Sequence, residues 1–148
     1  MVTLLSMAVL VALAALGWNL YGRMGRSRIA ALNDRRRTAS RLVSTGTLVD
    51  GNRHLPVALA LTQSTFFYEN SDLEGSLDLE FVREVEYDTE LATGLAIASG
   101  KVLRLRSDSQ TFEFVLPADA VTLWQTMLPP RGSTDAQVDP GVTTVGLP

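Results

Sequence analysis

The chain has no cysteine and a single histidine, His54. The first absence removes disulfides and thiol chemistry. The second removes any paired-histidine metal motif. There is also no Gly-rich phosphate loop and no nucleophile elbow, so no catalytic residue, metal ligand, cofactor or small-molecule substrate site is expected. A lone histidine beside a turn is expected to be a solvated surface residue. The densest acidic stretch, Glu69, Asp72, Glu74, Asp78 and Glu80, lacks the loop spacing that gathers six to eight oxygens around calcium. It reads as a solvated rim.

Charge is missing from residues 1–22 altogether. From Val2 to Tyr21 the chain reads VTLLSMAVLVALAALGWNLY. A helix rising about 1.5 Å per residue needs roughly 20 apolar residues to cross about 30 Å of hydrocarbon, so this stretch is expected to span a membrane. A cleaved signal peptide would begin with basic residues and carry a shorter apolar run before a small-residue cleavage site. Here nothing basic precedes the run, and arginine follows it.

Seven arginines (Arg23, Arg26, Arg28, Arg35, Arg36, Arg37 and Arg41) crowd the C-terminal side of the run, and none precedes it. The positive-inside rule then places the N-terminus outside and the rest in the cytoplasm, at a bacterial inner (plasma) membrane. Trp18 and Tyr21 fit the aromatic belt on that inner side. These two aromatics, with Arg23, Arg26, Arg28, Arg35, Arg36 and Arg37, are the expected contacts with the membrane interface or a partner. Residues 23–43 are expected to continue as a basic juxtamembrane helix or linker, with Ile29 and Leu32 sharing a face.

The net charge of −3 conceals an asymmetry: residues 1–41 sum to +6 and the remainder to −9. An acidic domain is repelled by nucleic acid and by anionic lipid, which excludes the first as a partner. The basic stretch is attracted to the same lipids. The expected partners are the bilayer and other membrane-protein subunits.

Beyond the arginines the pattern becomes short apolar runs broken by turn residues. Strands are expected at Gly46–Val49, Pro56–Thr62, Thr65–Glu69, around Leu77 and Leu79, from Phe81 to Tyr87, and at Leu95–Ala98, Val102–Arg106 and Thr111–Leu116, with turns at Asp50-Gly51-Asn52, Asn70-Ser71-Asp72 and Ser107-Asp108-Ser109. Such regular spacing predicts an antiparallel roll. Ala120 to Leu128 is expected to form one amphipathic helix plugging an end of it, with Val121, Trp124 and Leu128 inward. This divides the chain into an anchor (1–22), a juxtamembrane segment (23–43), a β domain (44–130) and a flexible tail (131–148).

Two stretches, TGTLVDGNRHLPVALALTQSTFFYENSDLEGSLDLEFVREVEY and KVLRLRSDSQTFEFVLPADAVTLWQTML, resemble the pleckstrin-homology-like (PH-like) superfold, including its bacterial and GRAM-type versions. The resemblance implies a binding platform: one transmembrane helix followed by a small α+β, mainly antiparallel PH-like roll, capped by a helix whose Trp124 packs inside. Phosphoinositide-binding members carry several Lys and Arg around the first hairpin loop, whereas this loop offers Arg53 and His54 beside Asp50. The expected function is a non-catalytic, single-pass accessory subunit of a larger membrane complex. Its layout is similar to the H-type subunit of photosynthetic reaction centres, an energy-transducing assembly. The alternative is a regulatory module reading anionic lipid or a signalling partner.

Overall fold

The structure, a computed structural model, describes residues 27–132. Among them no helix is long and apolar enough to cross a membrane. The apolar run from Val2 to Tyr21, with Trp18, Tyr21, Arg23 and Arg26, lies outside the described residues, as does the tail beyond Gly132.

Seven strands follow a helical segment, α1 (residues 27–37): β1 (Leu42–Asp50), β2 (Arg53–Leu61), β3 (Thr65–Glu69), β4 (Glu74–Asp78), β5 (Val82–Asp88), β6 (Lys101–Ser107) and β7 (Thr111–Leu116), then the helix α2 (Val121–Met127). All neighbours are antiparallel, in the order β4-β3-β2-β1-β7-β6-β5. Two meanders are therefore joined through β1, which pairs with β2 along its whole length and with β7 only over Thr47–Val49. The result is a mainly antiparallel half-barrel whose edge strands, β4 and β5, do not pair with each other.

Side chains alternate across each strand. The inward set is apolar: Val57, Leu59 and Leu61 of β2, Phe66 of β3, Leu103 and Leu105 of β6, Phe114 and Leu116 of β7, each 1% exposed or less. Trp124 of α2 is fully buried among them. Its Nε1–H donates to Ser44 Oγ at 2.8 Å, and Tyr87 Oη–H donates to the Leu128 carbonyl at 2.8 Å. Helix α2 thus plugs one end of the half-barrel, with its Trp inside.

Three expectations need correction. The helix is not continuous to residue 43. It stops at 37, and Leu42 already begins β1, because Val43, Thr45, Thr47 and Val49 are β-branched at every second position and Arg41 N–H donates to the Leu61 carbonyl at 2.7 Å. Leu95–Ala98 is not a strand. It lies between Gly94 and Gly100, both at positive φ, and the 89–100 segment folds back on itself, with one bridge between Glu90 and Ala96. Finally, Arg131 does not belong to a free tail. It exchanges two backbone hydrogen bonds with Val85 on the edge of β5, and its guanidinium donates to the carbonyls of Leu79 and Val82.

Candidate functional site

Helix α1 turns one stripe toward the sheet: Ile29, Leu32, Asn33 and Arg36 are its less exposed residues, at the i, i+3, i+4, i+7 spacing of a packed face. The seat is the outward face of the sheet, with Ile29 beside Thr45, Thr47 and Pro56 and Arg36 on Phe67 and Glu69 of β3. There Ala58 and Ala60 are 3% exposed although they point away from the barrel core, and their small side chains admit a close helix. Arg36 fastens the arrangement. Its guanidinium donates to both oxygens of Glu69 (3.2 and 3.0 Å) and to Glu74 (3.1 Å), and it lies 4.3 Å from the centre of the Phe67 ring. The hydrogen bond to Glu69 holds the guanidinium above its ordinary pKa. Glu69, expected to belong to a solvated rim, is buried at 4% exposed. Of the arginines expected at an interface, Arg36 is engaged by the domain itself. Arg28, Arg35 and Arg37 remain exposed, the last two making only 3.9 Å ion pairs, Arg35 with Glu69 and Arg37 with Asp34.

The end of the half-barrel opposite α2 is open. Three loops surround it: Gly51-Asn52, residues 70–73 and residues 108–110. Gly51 sits at φ 58° in the first position of a two-residue loop, where a II′ hairpin turn requires positive φ. Asn70 shapes the second loop, its Oδ1 accepting from the N–H groups of Asp72 and Leu73, both at 2.9 Å.

The mouth encloses about 640 Å³. Leu48, Leu55, Leu73 and the rings of Tyr68 and Phe112 line it. Tyr68 lies across its β4 neighbour Gly75, where a Cβ would clash with the phenol end of the ring. From the mouth inward the rings form a column: Phe112 to Tyr68 at 5.9 Å, Tyr68 to Phe114 at 5.3 Å, Phe114 to Phe66 at 5.0 Å, Phe66 to Trp124 at 5.5 Å. Burial raises the Tyr68 phenol above its ordinary pKa.

Asp50, Arg53 and Asp72 stand on the rim. Strand alternation puts Arg53 on the same side as Leu55 and turns the exposed His54 to the opposite face. Among the described residues neither Asp50 nor Asp72 forms an ion pair.

Several other carboxylates are matched, although among the described residues Asp78, Glu80, Glu90 and Asp119 also form no ion pair. On the outward face of β5–β7, Arg104 donates to Glu86 (2.6 Å), Glu113 (2.9 Å) and Asp88 (3.4 Å), and Arg106 pairs with Glu84 at 2.7 Å. This network also pins the 89–100 segment, through Ala92 N–H to Glu113 and Arg104 to the Glu90 carbonyl. Among the described residues no group of three acidic, His or Cys side chains could hold a metal ion.

The mouth was not marked out by sequence reasoning. The pairing of Tyr68 with Gly75 was its available signal, a large ring opposite a missing side chain. Comparison with known proteins returns no matching family model, no matching curated protein and no matching solved structure.

Proposed function

We propose that the chain is a non-catalytic, membrane-anchored interaction subunit, with its N-terminus outside and a PH-like domain in the cytoplasm, serving as an accessory subunit of a larger membrane-protein complex. The strand order with a helix plugging one end supports the PH-like reading. The apolar run Val2–Tyr21 followed by arginines supports the anchor and its orientation.

The observation that carries the functional reading is the character of the mouth. It is apolar and aromatic inside, and its rim holds two carboxylates against one guanidinium. A phosphate-bearing head group needs convergent cations, whereas an apolar throat with a polar rim suits an anchoring side chain of a protein partner. Arg36 clamps α1 to the sheet, so the domain stands in a set orientation to α1.

Purification of the full chain in mild detergent at native expression tests this. A stoichiometric membrane-protein partner is the expected result, and a free monomer would contradict it. A second reading, a lipid-responsive regulatory module, draws on the exposed Arg28, Arg35 and Arg37. It requires that anionic vesicles at low salt recruit the domain through those arginines, and that their replacement by glutamine abolishes the recruitment.

A further inference from the structure

We propose that the open mouth of the half-barrel receives a cationic side chain, lysine or arginine, from a basic segment of a partner protein. This rests on the reading of the chain as an interaction subunit and names the chemistry of what it binds.

Three observations converge on the mouth. Its floor is aromatic, Tyr68 and Phe112 lying 5.9 Å apart, and ring faces attract cations, more strongly once water is excluded. Its walls are aliphatic, through Leu48, Leu55 and Leu73, and suit the methylene stem of Lys or Arg. Its rim carries Asp50 and Asp72, carboxylates without an ion-pair partner among the described residues. The Asp72 carboxylate is oriented by Ser71, whose hydroxyl donates to it at 3.1 Å.

Among the described residues no basic side chain other than Arg53 lines the mouth. Arg36, the least exposed of the described arginines in the cluster, is held by Glu69 and Glu74. Residues 133–148 contain two aspartates and no basic residue. Arg53 stands on the rim itself, and with two carboxylates beside it the rim still carries a net negative charge.

The test uses the full chain in detergent micelles, with methyl NMR reporting from Leu48, Leu55 and Leu73. n-Butylguanidinium, a mimic of the arginine side chain, is the probe. Pentanoate and inositol hexakisphosphate are the comparisons. The guanidinium is expected to shift the three mouth methyls with a dissociation constant of roughly 1–10 mM, weak as one isolated side chain must be, while neither anion shifts them. Replacing Asp50→Asn together with Asp72→Asn is expected to weaken the probe about fivefold, the scale of two exposed charge contacts. Asp119→Asn, the same change on an exposed residue beside α2, leaves it unaltered. Methyl shifts induced equally by pentanoate, or by inositol hexakisphosphate alone, would overturn the proposal, as would no response to the guanidinium. If a stoichiometric partner co-purifies while the guanidinium fails, the interaction-subunit reading stands and this chemistry does not.

Discussion

At the scale of single residues, the Arg36–Glu69 pair decides where α1 sits. Glu69 is buried with its carboxylate satisfied by one guanidinium, and removing one partner of such a pair strands the other charge. Arg36→Met is expected to lower unfolding stability by about 2–3 kcal/mol, somewhat below the usual cost because Arg36 retains some exposure. Arg36→Met with Glu69→Gln should cost less than the two changes summed, and a double-mutant cycle in chemical denaturation reads that difference. Gly75 is constrained by a neighbour and not by its own backbone. Gly75→Ala must displace the Tyr68 ring, so a loss of about 1–3 kcal/mol is expected, together with changed aromatic signals at the mouth. A Gly75→Ala variant of unaltered stability would mean that the ring does not lie there.

Among the elements, α2 joins the two meanders. Trp124 fills the plugged end and Tyr87 on β5 bonds the carbonyl of Leu128. Trp124→Ala should cost about 3–5 kcal/mol as a core cavity. Burial pushes the Tyr87 phenol well above its ordinary pKa, so the folded state holds that proton more tightly than the unfolded one. The linked stability is intact below the unfolded tyrosine pKa of about 10 and falls as pH rises beyond it. Denaturation midpoints across that range should decline, and Tyr87→Phe should flatten most of the decline. Burial raises Tyr68 as well, so a residual slope remains in that variant.

These elements also mark what the sequence made legible. β3 and β7 fall on the residues expected, since TFFYE is aromatic and β-prone before the Asn70-Ser71-Asp72 turn and TFEFVL puts Phe112, Phe114 and Leu116 on one face. The inward face of α2 was legible from the spacing of Val121, Trp124 and Leu128. The start of β1 was not, because arginines before it read as helix while its β-branched alternation begins beneath them at Val43. Leu95–Ala98 was misread because apolar composition does not distinguish a strand from a loop laid over a sheet. The clamp at Arg36 joins residues 33 apart in sequence, and local periodicity carries no information at that range. The mouth is equally non-local, being assembled from four strands and the loops between them.

For the molecule as a whole, the two ends of the half-barrel differ. One is closed by α2 and the other is an apolar opening between loops, while α1 lies clamped on the outward face. A basic N-terminal portion and an acidic domain, +6 and −9, then favour different surroundings: anionic lipid beside the first and a basic protein surface at the second. Raising ionic strength should loosen the proposed partner from the domain without dissolving the proposed membrane association, which the apolar run Val2–Tyr21 would dominate. Salt and alkaline carbonate washes of isolated membranes, followed by assay of chain and partner, separate those two outcomes.

If the mouth meets protein and not lipid, a photo-crosslinking amino acid at Leu73, on the mouth, should behave differently from one at Leu123, which is 49% exposed on α2. Irradiation of cells carrying the full chain should give one discrete protein adduct from position 73 and none from position 123. Lipid adducts alone from position 73, or the same protein adduct from both positions, would mean that the mouth is not a protein-docking site.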